Sequence, residues 1–557
     1  MNRLLMLAPV LTVAALLGPV VAGLVGVLRP ALFPVTDGPA SLAALHGLLE
    51  WPGLGPAVRL SVVTGLAATL LSLAIVIGLV AGWSGTRAFR AASRVLSPLL
   101  SMPHAAAAFG LAFLIAPSGW VVRAVAPLAG LDRPPDLPIP GDAGGLALIA
   151  GLVAKEVPFL LLMTLAALPQ ANAEGARTLS ATLGYGRMTG WIKTVLPQVY
   201  AQIRLPVYVV LAYSMSVVDV AMILGPNTPP PLAVQIVRWM ADPALGQRNL
   251  AAAGSLLQLA LVVGAIGAWR LVELAVAAWG RGWASGGRRG QRDGALRFLA
   301  LGVAALPALA AGGGLAVLAL WSVAGYWAFP MLLPADFTAT SWMRHAGGLA
   351  GAAGNTALIA LAATGVALLL TLGCLEAEHR RRRPITAAGL RLLYLPLLVP
   401  QIAFLPGLQV LLLHAGADRG AVPVIAAHLV FVLPYVLLSL GDPWRAWDDR
   451  FATVAASLGA RPRSVLLRVR LPMLLRPVLT AAAVGMAVSV GQYLPTLLIG
   501  GGRVATLTTE AVALASGADR RAIGVFALAQ TAAALVPFTL AIALPAWFWR
   551  NRRGLHA

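Results

Sequence analysis

Charged side chains are scarce in this chain of 557 residues: 11% are Asp, Glu, Lys or Arg, against roughly 25% in an average soluble domain. With 59% hydrophobic residues and a mean hydropathy of +0.84, that scarcity excludes a water-soluble globular fold and leaves an all-α polytopic membrane protein. Cysteine is almost missing too, and the single Cys374 excludes an internal disulfide and any cysteine-based metal cluster. There is no G-x-x-x-x-G-K-[ST] phosphate loop, so ATP hydrolysis cannot reside in this polypeptide; neither an H-E-x-x-H pair nor a G-x-S-x-G elbow occurs. The histidines (His46, His104, His345, His379, His414, His428 and His556) are scattered over different segments, which speaks against a membrane enzyme and leaves no metal site to name. Acids are few enough that the net charge is +21. In a membrane protein such an excess belongs on the cytoplasmic side facing anionic lipid, so lipid is the expected partner of these charges and nucleic acid is not.

What the chain has is apolar runs of about 20 residues, the length that spans a bilayer core. They fall near 6–28, 57–84, 95–116, 145–167, 206–224, 249–275, 296–325, 354–377, 392–414, 420–440, 477–499 and 523–549, which makes twelve expected spans. The first imitates a signal peptide but exceeds the usual apolar core of about 7–15 residues, so it is read as an uncleaved span. With the N-terminus inside, 29 of the 41 Lys and Arg residues fall in inner segments. The positive-inside rule therefore sets both termini in the cytoplasm. The run Arg380-Arg381-Arg382-Arg383 reads as a stop-transfer, lipid-facing cluster.

The chain also contains itself twice. Gly184 to Pro197, GYGRMTGWIKTVLP, returns as Gly459 to Pro472, GARPRSVLLRVRLP, with Leu196-Pro197 and Leu471-Pro472 closing the two copies. Upstream, Ser180-Ala181-Thr182-Leu183 stands against Ala455-Ala456-Ser457-Leu458. Leu66-Ala67-Ala68-Thr69 returns as Leu361-Ala362-Ala363-Thr364, Pro103 and Gly110 as Pro400 and Gly407, and Pro158-Phe159 as Pro434-Tyr435. Two parallel halves of six spans follow, joined by an inner Gly- and Arg-rich linker near 278–295 that composition marks as flexible. Each repeated loop must leave the bilayer, run along its surface and return. Gly184 and Gly459 permit the sharp turn, and Pro197 and Pro472 can open the next helix.

Ionisable groups inside spans are costly and therefore informative. Lys155 and Glu156 sit within span four and Asp219 toward the outer end of span five, whereas their counterparts in the second half are Phe431, Val432 and Leu494. Adjacent helical residues point about 100° apart, so Lys155 and Glu156 cannot face one lumen point. A translocation path and an internal salt bridge both account for them. His104 and Gln401 follow the matched prolines and Gln492 lies within span eleven; all three read as interhelical hydrogen-bonding groups or as path residues.

The repeated loop resembles the EAA motif of type-1, MetI-like transmembrane domains in ATP-binding-cassette importers, whose pattern runs E-A-A-x-x-x-G, about a dozen residues, then L-P. The resemblance covers 56–275 and 354–549, with 1–55 as a first span and outer loop, 276–353 as linker, seventh span and outer loop, and 550–557 as a cytoplasmic tail. Fusion of both halves is similar to the permeases for thiamine and ferric iron and to an uncharacterised inner-membrane group. The resemblance implies a permease in the bacterial inner membrane with two separate ATPase subunits, carrying MgATP, docked on the loops. It also implies a binding protein on the outer side, because the outer loops 29–55, 117–144, 225–248 and 326–353 are too short to capture a solute. The implied ATPase contacts are Glu174, Thr178, Ser180, Ala181, Gly184, Leu196 and Pro197, with Asp449, Thr453, Ala455, Ala456, Gly459, Leu471 and Pro472 in the second copy. The sequence departs from the motif at its Glu, where Thr178 and Thr453 stand. Glu174 and Asp449 lie one turn earlier and either replace it or serve as N-terminal helix charges. An ion-coupled secondary transporter with two six-span halves would share the span count but leaves the paired loops unexplained.

Overall fold

The computed structural model describes residues 3–33, 42–96, 99, 101–383, 385–517 and 519–548; the expected tail at 550–557 lies outside them. Among the described residues the regular structure is helical, with one isolated bridge between Ala324 and Phe337. The first half contains α1 (Arg3–Leu32), α2 (Leu54–Trp83), α3 (His104–Ile115), α4 (Leu146–Ala167), α5 (Ala173–Thr182), α6 (Arg187–Thr194), α7 (Leu196–Ser216), α8 (Asp219–Leu224), α9 (Leu232–Ala241) and α10 (Leu245–Ser285). The second contains α11 (Gly294–Ser322), α12 (Thr340–Arg381), α13 (Ala387–Leu398), α14 (Gln401–His414), α15 (Ala421–Arg445), α16 (Arg450–Ser457), α17 (Pro462–Val465), α18 (Leu475–Val490), α19 (Leu494–Gly500), α20 (Leu507–Ala513) and α21 (Arg520–Phe548). A π turn, Leu466–Arg470, continues α17.

Among the described residues nine helical stretches are long and apolar enough to cross a membrane, one of them being His104–Ala129, which joins α3 to the short helix after it, and three further pairs pass only as bent pairs. The bends are 65° between Arg187–Thr194 and Leu196–Ser216, 85° between Arg391–Leu398 and Gln401–His414, and 75° between Pro462–Met473 and Leu475–Val490. Several expected spans are therefore interrupted. Span three begins only at His104, after Pro103 in extended conformation, and span nine breaks before Gln401, after Pro400. Proline supplies no N–H and disfavours helix at the residue before it, so both breaks follow from the sequence. Spans five and eleven also stop short. Asp219 does not end a continuous span but opens the separate α8, and Gln492 lies in the break between α18 and α19 instead of within a helix. Averaged over a span-length window hydropathy stays high across both breaks, which is why composition reads through them.

The halves embrace each other. α1 packs along α14, α12 and α15 of the second half, while α11 packs on α3, α2 and α4 of the first. Glycine makes both crossings possible. A Cβ on Gly110 would stand 2.8 Å from the backbone of Gly314, and Gly407 meets Gly23 and Gly26 equally closely. Without water between helices, such close backbone approach is what holds spans together. Matched polar ties reinforce the repeat: Leu232 N donates to Ser61 Oγ at 3.0 Å and Leu507 N to Thr356 Oγ1 at 3.0 Å.

The linker is shorter and more ordered than its composition suggests. α10 runs to Ser285 and α11 starts at Gly294, so only 286–293 connect the halves, and this segment is hydrogen-bonded onto the first repeated loop. Composition reads flexibility because Gly and Arg look the same whether or not their backbone has found partners.

Candidate functional site

The two repeated loops are built alike from the residues up. In the first, Thr178 Oγ1 donates to the Glu174 carbonyl at 3.1 Å, and in the second Thr453 Oγ1 donates to the Asp449 carbonyl at 3.3 Å. The threonines thus satisfy themselves within their own turn, and the acid of each copy lies one helical turn before the motif position. Both acids are exposed. Glu174 sits in the first turn of α5; Asp449 is the N-cap of α16 and lies 3.6 Å from His379 Nδ1.

Each loop helix then ends on a glycine at positive φ, +76° at Gly184 and +83° at Gly459. The closing bonds match: Gly184 N to Ala181 O at 3.0 Å and Tyr185 N to Ser180 O at 3.0 Å, against Gly459 N to Ala456 O at 2.9 Å and Ala460 N to Ala455 O at 3.0 Å. A left-handed residue closing a helix this way is far cheaper as glycine. Ser180 is buried against Gly190, whereas Ala181 and Ala456 are exposed and Ala455 half-buried. Leu196 and Leu471 are half-buried at the start of the returning helices, and Pro197 and Pro472 are exposed there.

The structure adds residues that sequence reasoning passed over. Leu179 and Leu183 are 62% and 55% exposed, and their counterparts Val454 and Leu458 are 59% and 82% exposed. Spaced i, i+4, each pair forms one apolar spot on a helix face. The signal was present, since Leu183 and Leu458 belong to the matched tetrapeptides. Beneath the second loop, Arg470 donates to Glu376 Oε2 at 3.4 Å and to the Trp444 carbonyl at 2.9 Å, stacked 4.3 Å from the Trp444 ring centroid. Arg445 binds Glu378 through two bonds of 2.8 and 3.1 Å. In the polyarginine run Arg380 pairs with Glu376 at 2.6 Å. Beneath the first loop, Arg177 and Arg187 both donate to the Ser84 carbonyl. Burial lowers the Arg187 pKa, with Arg177 and Arg297 adding to the effect and Asp293 opposing it.

The residues proposed for a path gather at the interrupted spans. His104 opens α3, with Nε2 3.9 Å from Glu156 Oε1 and its ring 4.9 Å from that of Tyr213. Glu156 is buried on α4. Lys155 points elsewhere: its ammonium donates to the carbonyls of Leu99, at 2.8 Å, and Met102, clamping the segment before α3. Gln401 Nε2 donates to Gln492 Oε1 at 3.3 Å across the breaks of spans nine and eleven. Asp219 is buried at the start of α8. The halves meet close by, where Tyr493 OH lies 3.6 Å from Met222 Sδ. Glu156, His104 and Tyr213 are thus brought together, whereas the Lys155 ammonium is engaged by backbone carbonyls. Among the described residues no three His, Cys, Asp or Glu side chains converge to hold a metal.

Residues 369–553 match the family described as binding-protein-dependent transport system inner membrane component. Over 543 residues the chain is 32% identical to the inner membrane ABC transporter permease protein YnjC of Escherichia coli (strain K12), covering 97% of this chain and 98% of that protein. It is 39% identical over 80 residues to the molybdenum transport system permease protein ModB of Mycobacterium tuberculosis (strain ATCC 25618 / H37Rv), covering 14% of this chain and 30% of that protein. It is 25% identical over 158 residues to the putrescine transport system permease protein PotI of Escherichia coli (strain K12), covering 27% of this chain and 56% of that protein. No solved structure matches.

Proposed function

This chain belongs to the inner-membrane permeases of binding-protein-dependent, ATP-binding-cassette transport systems, and from that membership we propose how its two loops work. The chain is the permease subunit of an importer, a transport component that forms the translocation path for a small solute delivered by a binding protein. In our reading each bent pair contributes one crossing, with the short loop helices before α7 and α18 lying at the cytoplasmic surface, giving twelve crossings in two parallel sets of six, with 56–275 and 354–549 as the two transmembrane domains. Both termini lie in the cytoplasm, and the binding protein docks on the opposite face.

Each loop seats one of two separate ATPase subunits, which hold the MgATP. The observation that carries this reading is the duplicated loop geometry: the same positive-φ glycine, the same closing bonds and the same exposed apolar pair. α6 leads directly into α7, whose 21 residues make a lever of about 31 Å at 1.5 Å per residue. Its far end is the break before Asp219. Motion of a loop is thereby delivered to the segment where the halves meet. ATP binding need only favour one arrangement of the halves over the other, because an equilibrium shifts by the difference in binding to its two states.

The test is topological and compositional together. In a Cys374→Ser background, single cysteines within 180–190 and 460–470 should react with a membrane-impermeant maleimide only from the cytoplasmic side, and the tagged chain should copurify with a cassette ATPase. Labelling of either loop from outside would overturn the orientation and the docking with it.

A further inference from the structure

Among the described residues the two loops differ in one respect that the repeat does not foretell: the linker lies across the first, and no described segment lies so across the second. Gly186 N donates to Arg289 O at 2.8 Å, and Gln291 Nε2 donates to Gly184 O at 3.0 Å. Met188 N donates to Asp293 Oδ2 at 2.7 Å, so the linker's acid caps the first turn of α6. Lys193 Nζ donates to Arg288 O at 3.0 Å and sits 4.7 Å from the Trp283 ring centroid. The approach is close enough that a Cβ on Gly186 would collide with the Gly290 carbonyl, and one on Gly290, at φ +54°, would collide with Thr189. On the second loop the position of Gly186 is taken by the exposed Arg461, and Gly459 has open space around it.

Although the linker's backbone is tied down, residues 286–292 remain exposed. The strap therefore adds to the first loop a surface carrying Arg288, Arg289 and Arg292, with the Arg289 side chain against Gly184, the neighbour of Leu183. We propose that this strap is a second docking surface for one of the two ATPase subunits, meeting acidic side chains on the rim of that subunit's groove. The proposal rests on the reading of the loops as ATPase seats. Opposite charges in contact at an exposed rim are screened by salt, so the contact made by the strap is salt-sensitive, unlike the apolar contact of Leu179 and Leu183.

The experiment uses the full complex with its ATPase and three single-cysteine variants in a Cys374→Ser background: Arg288→Cys on the strap, Leu183→Cys on the first loop and Leu458→Cys on the second. Arg288 is chosen because only its carbonyl is engaged in the seat. With a short cysteine-to-lysine cross-linker, all three positions should capture the ATPase, and raising the salt should reduce capture from Arg288 several-fold more than from Leu183. Capture from Leu183 and Leu458 but not from Arg288 would overturn the strap contact while leaving the loop seats standing. Failure at all three would instead overturn the loop seats. Adding Gly290→Val to Arg288→Cys should unseat the strap and remove its capture, and an unchanged yield would contradict the seat described here.

Discussion

Glu156 and Lys155 are neighbours in sequence with different tasks, and two substitutions separate them. Lys155 holds the carbonyls of Leu99 and Met102 inside the protein. Removing it with Lys155→Met leaves buried acceptors without that donor, at about 1–3 kcal/mol for each group left unsatisfied; the expected result is less chain in the membrane by immunoblot. Glu156 faces His104 and Tyr213 near the junction of the halves. Glu156→Gln should keep the membrane level and reduce uptake by cells carrying the whole transporter. Loss of the protein in Glu156→Gln would instead make it a structural group. Sequence could show that both charges were unusual and that they point apart. It could not show which one turns to the backbone, because the carbonyls that capture Lys155 belong to a break 53 to 56 residues away.

At the scale of elements, the loops were the most legible part of the chain and the interrupted spans the least. A glycine, a fixed spacing and a Leu-Pro pair occur twice, and repetition is what turns a weak local signal into a strong one. The breaks at 217–218 and 491–493 are too short to lower hydropathy averaged over a span, and the strap is a set of long-range hydrogen bonds that composition does not encode. The exposed pairs give a direct prediction for the element. Leu179→Asp with Leu183→Asp, or Val454→Asp with Leu458→Asp, should leave insertion intact because these side chains already face solvent. Each double change should cut copurification of the ATPase by roughly tenfold or more, the equivalent of about 1.4 kcal/mol. Normal copurification from both variants would remove these faces from the docking surface.

For the whole molecule, the exchange of α1 and α11 between the halves makes the fused chain a single mechanical unit. Each half supplies the helix that covers the other, so the path between them cannot form from one half alone. The crossings depend on backbone contact at Gly110 with Gly314 and at Gly407 with Gly23 and Gly26. Gly110→Leu or Gly407→Leu has no side-chain-sized space to enter, and overpacking of this kind costs about 1–3 kcal/mol or more. The expected outcome is a lower melting temperature in detergent, with the two sites giving similar losses because the repeat makes them equivalent. Gly110 and Gly407 form a matched pair in the sequence, but what they touch is not legible there, since both contacts are made by the first helix of the opposite half.

The central claim is that two matched loops each hold one ATPase subunit, and the stoichiometry of the purified complex tests it without knowledge of the solute. Gly184 and Gly459 sit at φ values that a β-branched side chain resists, so Gly184→Val and Gly459→Val together should displace both short helices while the spans stay inserted. Native mass spectrometry should find two ATPase copies on the unaltered chain and none on the double variant, with equal amounts of both chains in the membrane. A double variant that retains two ATPase copies and hydrolyses ATP normally would contradict the account.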